Sequence, residues 1–198
     1  MEKLTHLDAV AVPIAAINCD TDQILPARFL QKPRSDDFGQ FLFRALRLRP
    51  DGEENPGFVL NQAPFREARI VVANHNFGCG SSREHAVWAL YDYGIRAVIA
   101  PSFGDIFFIN CLKNGLLPIV LPETVVLPLL ERLSVDAGSR ISIDLPAQTV
   151  TLPDGTSHGF AMEPFAKECL LRGMDEIDYT LSHRERIDAF ERGRVDGY

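Results

Sequence analysis

The amino-acid sequence predicts an α/β fold with a central βαβ region, an added β-hairpin layer and C-terminal helices. From Arg69 onward, apolar β-branched runs alternate with helical stretches of roughly ten to fifteen residues, which is typical of parallel βαβ units. A later segment alternates polar and apolar residues around the turn "PDGT", as a β-hairpin does. Two amphipathic stretches follow this segment and predict helices.

The first third of the chain predicts a strand, two loops and one short helix. "VAVPIAAINCDTDQILP" begins apolar, which indicates a strand, and its polar residues 18–23 predict a loop. A second loop follows over "ARFLQKPRSDDFGQ", in which Arg28, Lys32 and Arg34 are cationic. "FGQFLFRALRLR" predicts a short helix, and "PDGEENPG" has the composition of a surface turn.

The middle of the chain predicts three buried strands separated by helices. "RIVVA", "IRAVIAP" and "LLPIVLP" are the strands. Residues 83–93 predict the first helix, which ends at Gly94, and "FGDIFFINCLKNG" predicts the second, with Gly115 as its stop. "ETVVLPLLERLS" also predicts a helix, in which Pro128 is expected to start or kink a turn.

The C-terminal part predicts the hairpin layer and the last helices. "SRISIDLPAQTVTLPDGTSHGFAM" contains the predicted hairpin, and "EPFAKECLLRG" and "HRERIDAFERG" are amphipathic. No internal repeat or low-complexity tract interrupts the pattern. We therefore expect residues 1–198 to form a single domain.

Composition and charge limit the classes of function. Of the 198 residues, 46% are hydrophobic, which is enough for a packed core. The net charge of −7 disfavours nucleic acid and anionic membranes as partners, although it leaves room for a small anionic substrate. The N-terminal residues lack a signal-peptide pattern, and no apolar run approaches the ~18 residues of a membrane span. We expect a cytoplasmic protein that binds neither nucleic acid nor membranes.

The four cysteines are far apart in the sequence. They are Cys19, Cys79, Cys111 and Cys169, and no CxxC motif occurs. Zinc sites and iron–sulfur clusters are commonly built on closely spaced cysteines. We therefore expect no metal site and no cluster in this chain.

"NFGCGSSREH" places many small and polar residues between a predicted strand and a predicted helix. Ser81 and Glu84 fit the capping-box pattern S-x-x-E, so they could serve only to begin the helix. That interpretation leaves Arg83 unexplained, because a cation in the first turn opposes the helix dipole. Arg83 is favourable there if it binds a carboxylate or a phosphate in bidentate fashion.

The same turn therefore has a second interpretation as an anion pocket with a serine hydroxyl at its mouth. Gly78, Cys79 and Gly80 would form a backbone loop whose N–H groups can approach the anion. A Cys79–His85 nucleophile is less favoured, because His85 falls within the helix and is expected to point toward packing. The glycine spacing does not match G-x-G-x-x-G, and no G-K-[ST] is present for a phosphate loop.

Two motifs carry a resemblance to a known family. "NFGCGSSREHAVWALYDYGIRAVIAPSFGDIF", with "GSSREHA" at its centre, and the upstream "DTDQILPARFLQK" resemble the swivelling domain of the aconitase superfamily. Within that superfamily they are similar to the small subunits of 3-isopropylmalate dehydratase (isopropylmalate isomerase). The likeness extends over about residues 10–181. It implies a swivelling β/β/α fold.

The resemblance also implies an activity and a partner. The activity is that of a hydro-lyase that interconverts 2-isopropylmalate and 3-isopropylmalate by dehydration and rehydration in leucine biosynthesis. A large subunit would carry a [4Fe–4S] cluster and would be required for activity, while this chain would hold no cofactor. The other partner would be a small dicarboxylate substrate. An isolated chain could also form a homo-oligomer.

The resemblance assigns roles to individual residues by position. Ser81 matches the base that takes the carbon-bound proton of the substrate. Ser82 and Arg83 match groups that bind a substrate carboxylate and stabilise that serine. Thr21 and Asp22 match an active-site threonine and aspartate of the wider superfamily.

A substrate-recognition loop near residues 26–40 is the last part of the implied site. Arg28, Phe29 and Leu30 lie in the segment that helps to choose the substrate side chain, and the two apolar residues suit an isopropyl group. Ordinary anchoring of the loop in the core would explain them equally well. Arg34 could stand for a substrate-binding arginine of the superfamily. Leu25 departs from aconitase itself, which has a serine there.

Two other functions remain open at the level of the sequence. One is the small subunit of a related dehydratase that acts on homoaconitate or a methylated malate. The other is a non-catalytic assembly module that keeps the fold, which the intact pair of Ser81 and Arg83 disfavours. Dehydration next to a carboxylate needs a Lewis acid, a base and cationic or N–H groups for the developing charge. This chain offers the second and the third.

Overall fold

The computed structural model describes residues 1–35 and 37–195. Its strands are β1 His6–Ile14, β2 Ile70–Ala73, β3 Ala97–Ala100, β4 Leu117–Val120, β5 Arg140–Asp144, β6 Thr149–Thr151 and β7 Ser157–Gly159. Its α-helices are α1 Thr21–Ile24, α2 Arg44–Arg47, α3 Glu84–Tyr93, α4 Asp105–Lys113, α5 Glu123–Val135, α6 Pro164–Arg172, α7 Glu176–Leu181 and α8 Arg184–Val195. Short 3₁₀ turns include Ala27–Phe29 and Phe38–Phe41.

The strands form a seven-stranded sheet in the order β4-β3-β2-β1-β5-β6-β7. Strands β1 to β4 are parallel neighbours, whereas β5 to β7 pair in antiparallel fashion. The long strand β1 joins the two halves: its second half pairs with β2, as in Val12↔Val71, and its first half with β5, as in Ala9↔Ile141. The predicted α/β fold with a hairpin layer and C-terminal helices is confirmed.

The core lies on both faces of this sheet. Because side chains alternate along a strand, Val12 of β1 packs with α3 and α4, while Ala11 packs with α5 and the hairpin layer. The parallel strands β2 and β3 are buried along their whole length. This burial explains why they are continuous apolar runs in the sequence.

Several element predictions need correction. The loop predicted over residues 18–23 is wrong from Thr21 onward, because Asp20 begins α1 by accepting a hydrogen bond from the Gln23 N–H at 2.7 Å. The single helix predicted over "FGQFLFRALRLR" is interrupted at Phe43, which has a left-handed φ of 47°. Phe43 is buried and its N–H donates to the Ile24 carbonyl at 2.7 Å, so a tertiary contact overrides the helical pattern.

The C-terminal half agrees more closely with the sequence patterns. The "PDGT" hairpin is confirmed, since β6 and β7 pair through Val150↔His158. Pro128 does not start a turn, because it lies inside α5, which begins at Glu123; the alternative that it kinks the helix stays a prediction. The prediction omitted α7, although Asp175 and Asp178 form a capping box at its start. Among the described residues, no helix is both long enough and apolar enough to cross a membrane.

Candidate active site

The turn between β2 and α3 is built on three left-handed backbone positions. Asn76, Gly78 and Gly80 have φ values of 57°, 73° and 90°. Ser81 and Ser82 follow them with exposed side chains. The turn lies at the carboxyl end of a parallel strand, where loops of α/β sheets commonly bind ligands.

The two sequence motifs meet at this turn. The Gly78 N–H donates to the Cys19 carbonyl at 2.8 Å, and the Thr21 N–H donates to the Cys79 carbonyl at 2.9 Å. The Thr21 hydroxyl, which is buried, donates to the Ser81 carbonyl at 2.9 Å. Because β1 and β2 are parallel neighbours, the loops after them leave the same edge of the sheet and pair with each other.

Arg83 and Asp22 make the principal ion pair of the site. The Nη1 atom of Arg83 lies 2.5 Å from Oδ1 of Asp22 and 3.5 Å from the Leu25 carbonyl oxygen. The same Oδ1 accepts the Ala27 N–H at 2.8 Å. The Arg83 side chain is only 16% exposed, so its guanidinium is held beside the turn rather than extended into solvent.

Helix α3 begins later than predicted, and Ser81 does not cap it. Its N-cap residue is Arg83, which is extended and makes no side-chain capping hydrogen bond. The capping box of Ser81 and Glu84 is therefore wrong. Instead, the Glu84 carboxylate accepts the Asn114 amide N–H of the α4 C-terminus at 2.8 Å. Ser81 lies two residues before the N-cap, and no hydrogen bond of its hydroxyl occurs within the described residues.

Helix α4 and the glycine before it pack closely against the turn between β2 and α3. A methyl group on Gly78 would overlap the ring of Phe107, which is buried, and one on Gly104 would meet the Gly78 carbonyl oxygen. The sequence analysis did not assign Gly104 and Phe107 to the site. The only signal they gave was a glycine ahead of an apolar helix.

We predict that Gly78→Ala destabilises the chain more than Gly155→Ala does. Both glycines have positive φ, but a methyl group on Gly155 meets no atom within 4 Å. Left-handed strain alone costs roughly 1–2 kcal/mol. Overlap with Phe107 should add about 1–3 kcal/mol to the loss in the free energy of unfolding. Urea unfolding of both variants measures the difference, and equal losses would contradict the close packing against Phe107.

The alternative Cys79–His85 nucleophile is not assembled. The His85 ring packs against Trp88, with ring centroids 4.4 Å apart, and lies 6.3 Å from the ring of Phe38. The prediction that His85 points toward packing is confirmed. Within residues 1–35 and 37–195, no hydrogen bond joins His85 to Cys79.

The described part of the recognition loop is anchored to the protein. Phe29 stacks on Phe41 at 4.5 Å between centroids, and Arg28 lies 4.9 Å from the centroid of the Phe29 ring. Phe29 and Leu30 are half-buried and pack against the core. The bond from the Ala27 N–H to Asp22 places the start of this loop beside Arg83.

The structure does not bring Arg34 to the Ser81 turn. Its guanidinium makes two hydrogen bonds to the Asp92 carboxylate, at 2.8 and 2.9 Å, and lies over the Trp88 ring. Asp92 is eight residues past Glu84 on α3, which is roughly 12 Å along the helix axis. Arg34 therefore fixes the loop to the far end of α3.

Hydrogen bonds at the site lower the pKa of the Asp22 carboxyl. The Arg83 guanidinium is the main cause, and the Ala27 N–H adds to it. Burial instead raises the pKa of the Cys19 thiol to about 12 and that of the Cys111 thiol well above its ordinary value. These two thiols are therefore protonated at neutral pH and are poor nucleophiles.

We predict that Arg83→Ala raises the pKa of Asp22 toward that of an exposed aspartate, ~3.9. Since the folded-state pKa is lowered, the ion pair stabilises the chain above about pH 4. That stabilisation is lost as the pH falls through the lowered pKa. Titration of the Asp22 carboxyl carbon by NMR, in wild type and in Arg83→Ala, measures the effect. An unchanged midpoint would contradict the pairing.

No metal site is evident in the part of the chain that the structure describes. No group of three or more His, Cys, Asp or Glu side chains in that part is arranged to hold a metal ion. The turn instead presents two exposed serines, three left-handed backbone positions and one paired arginine. Such an arrangement can bind an anion and place a hydroxyl beside it.

Comparison with known families agrees with this architecture. The model of the aconitase C-terminal domain matches residues 1–124, and a second model, described as LeuD_N, matches residues 128–164. The first match contains both motifs that meet at the turn. The fold and the site thus define a protein of the aconitase C-terminal domain class.

Individual relatives narrow this class. The 3-isopropylmalate dehydratase small subunit of Rhodospirillum centenum is 55% identical over 96% of this chain and 94% of that protein. The 3-isopropylmalate dehydratase small subunit of Cereibacter sphaeroides strain KD131 is 51% identical over 97% of this chain and 96% of that protein. The chain belongs to the family of 3-isopropylmalate dehydratase small subunits. The crystal structure of 3-isopropylmalate dehydratase (leuD) from Methanocaldococcus jannaschii is 25% identical, with a TM-score of 0.68 over 94% of this chain and 99% of that one.

Proposed function

We propose that this chain is the small subunit of a cytoplasmic hydro-lyase that interconverts 2-isopropylmalate and 3-isopropylmalate in leucine biosynthesis. Relatives that are half identical over nearly the whole chain are named 3-isopropylmalate dehydratase small subunit. The observation that carries the proposal is the meeting of the two motifs, in which Thr21 binds Ser81 and Asp22 binds Arg83. These contacts assemble one site from residues 60 positions apart.

Ser81 is the proposed base for the carbon-bound proton of the substrate. Its hydroxyl is exposed and is not used by helix α3. A serine is a weak base at its free pKa, so its alkoxide needs stabilisation by Arg83 and by backbone N–H groups of the glycine-rich turn. The bond from Thr21 to the Ser81 carbonyl fixes the backbone from which the hydroxyl projects.

Arg83 is proposed to bind a substrate carboxylate while Asp22 orients it. Only the Nη1 atom of Arg83 has protein partners among the described residues. The N–H groups on Nε and Nη2 remain for a carboxylate in bidentate geometry. Ser82 would add a hydroxyl beside it.

The hydroxyl group of the substrate must leave with the help of a Lewis acid that this chain does not offer. Among the described residues, no group of three or more His, Cys, Asp or Glu side chains is arranged to hold a metal ion, so these residues do not fit an iron–sulfur cluster. A [4Fe–4S] cluster on a large partner subunit would supply that chemistry. Activity would then depend on association of the two subunits.

The substrate side chain is proposed to meet the loop near residues 26–40. Phe29 and Leu30 are only half-buried, so they keep apolar surface beside the Asp22–Arg83 pair. The same site could serve a homoaconitate or methylmalate dehydratase. An apolar pocket separates substrates that differ by one methylene by only about 1–3 kcal/mol.

We expect the purified chain alone to be colourless and inactive, and to turn over 2-isopropylmalate once a cluster-loaded large subunit is added. Turnover of a panel of malates by this pair would test the substrate. Phe29→Ala should change the ratio of activities between isopropylmalate and methylmalate without abolishing the reaction. Stoichiometric iron and sulfide on this chain alone, or a preference for homoaconitate, would overturn the proposal.

A further inference from the structure

An open groove lies beside the recognition loop, and its walls carry three arginines. We call it the basic groove; its lining includes Arg28, Phe29, Arg44, Leu48 and Arg49. The whole chain has a net charge of −7, so a groove lined by three cations differs in sign from the chain as a whole. Among the described residues, none of the three guanidinium groups has a carboxylate within 4.0 Å.

These arginines differ from neighbouring ones that support the fold. Arg47 donates to the carbonyl oxygens of Gln40 and Leu42 and lies over the Tyr93 ring. Arg34 is bound by a carboxylate at the end of α3. Arg44 and Arg49 make no such contacts, although Arg44 is half-buried and Arg49 exposed. Within residues 1–35 and 37–195, therefore, no partner accounts for the charges of Arg44 and Arg49.

The backbone that carries Arg44 and Arg49 is held in place. Phe43, directly before Arg44, is buried with a left-handed φ of 47°, which is uncommon for a bulky residue. The Asn61 amide, also buried, donates to the Arg47 carbonyl oxygen at 2.6 Å. The groove is thus preformed, and such strained positions tend to be kept where a surface must have a set shape.

Nearby acidic side chains do not neutralise the groove by pairing. Asp51 and Glu53 follow Arg49 and are exposed, and one Asp51 oxygen accepts the Glu53 N–H at 3.0 Å. Glu54 pairs with Arg66 on the other side of the segment. As far as the described residues are concerned, the guanidinium groups of the basic groove are available to an external carboxylate.

The groove is continuous with the proposed active site. Arg28 follows Ala27, whose N–H binds the same Asp22 oxygen as Arg83 does. A subunit that brings a Lewis acid to Ser81 and Arg83 must also cover the adjoining surface. Phe29, stacked on Phe41, and Leu48 give the groove an apolar floor. Arginine and aromatic residues together are typical of protein–protein interfaces.

We propose that the basic groove is the docking surface for an acidic segment of the large subunit, bound through Arg44 and Arg49. This inference rests on the proposed function, because that function requires a large subunit. Carboxylates of the segment would pair with the two guanidinium groups, and its apolar residues would lie on Leu48. Complementary charge would also speed the association of the subunits.

The test measures binding of this chain to the purified, cluster-loaded large subunit at several salt concentrations. The variant Arg44→Ser/Arg49→Ser should weaken binding about tenfold at low salt and reduce the salt dependence of Kd. The matched control is Arg140→Ser/Arg172→Ser, which removes two exposed charges from β5 and α6. Circular dichroism checks that both variants are folded. At saturating large subunit, the groove variant should keep its kcat and KM.

Three outcomes would overturn the docking surface. These are wild-type affinity in the groove variant, an equal loss in the control, or a raised KM for substrate at saturating large subunit. The last result would mean that the arginines bind the substrate anion instead. Because the readout is binding, a pair that docks through the groove but leaves isopropylmalate unchanged would refute only the proposed function. An active pair with unchanged affinity in the groove variant would refute only the docking surface.

Discussion

Ser81→Ala is expected to lower kcat of the reconstituted pair by about 10²–10⁴-fold, the usual effect of removing a general base. The fold should be unaffected, because the Ser81 side chain is exposed and lies two residues before the N-cap of α3, which does not use it. Alanine also keeps the backbone of the turn, where Thr21 binds the carbonyl of residue 81. Steady-state kinetics at saturating large subunit measure the loss.

Two other serine variants show whether the loss of kcat is specific to Ser81. Ser82→Ala should act mainly on KM, since this hydroxyl is proposed to bind a substrate carboxylate. Ser157→Ala, in the β7 strand of the hairpin layer, should leave both kinetic parameters unchanged. A folded Ser81→Ala pair that keeps more than about a tenth of normal kcat would remove the serine from the mechanism.

Arg83→Lys should lower kcat/KM by roughly 30- to 150-fold, which corresponds to about 2–3 kcal/mol of transition-state stabilisation. Lysine keeps the charge and can still approach Asp22, but it lacks the planar fork. In the structure one edge of that fork binds Asp22 and Leu25, which leaves the other for the substrate. The single ammonium group of lysine cannot bind both Asp22 and the substrate carboxylate as the two edges of the guanidinium do.

Arg132→Lys on α5 is the matched control for Arg83→Lys. Its side chain is 43% exposed, and its Nη1 atom lies 3.9 Å from a carboxylate oxygen of Asp154. We expect this variant to have wild-type kinetics and stability. Near-normal turnover by Arg83→Lys would indicate that Arg83 serves only to pair with Asp22. It would also indicate that Arg83 does not bind a substrate carboxylate in bidentate fashion.

The sheet and the location of the site could be predicted because both depend on local patterns. Apolar β-branched runs separated by helices predicted the parallel strands β2 to β4, and "PDGT" predicted the β6–β7 turn. The glycines of the turn predicted its sharp bend, and Gly78 and Gly80 do take positive φ. Two parallel neighbouring strands then bring their following loops together, as the contact of Thr21 with Ser81 shows.

The remaining details depend on contacts between distant residues. Ser81 fits a capping box by sequence, but Glu84 is bound by Asn114 from α4, and Arg83 is the N-cap of α3 instead. Arg34 follows the recognition motif in the sequence, yet Asp92 holds it at the other end of α3. No local sequence pattern indicates that Glu84 binds Asn114 or that Arg34 binds Asp92. These pairs form only when the fold brings distant segments together.

If this chain supplies the base, then loss of Ser81 must slow cleavage of the substrate C–H bond. A single-turnover assay would follow the ultraviolet absorbance of the unsaturated intermediate after 2-isopropylmalate is mixed with excess pair. The wild-type chain and Ser81→Ala would share one preparation of cluster-loaded large subunit. We expect substrate binding close to wild type and dehydration slowed by about 10²–10⁴-fold in Ser81→Ala. Dehydration at the wild-type rate, with only substrate affinity reduced, would contradict this expectation.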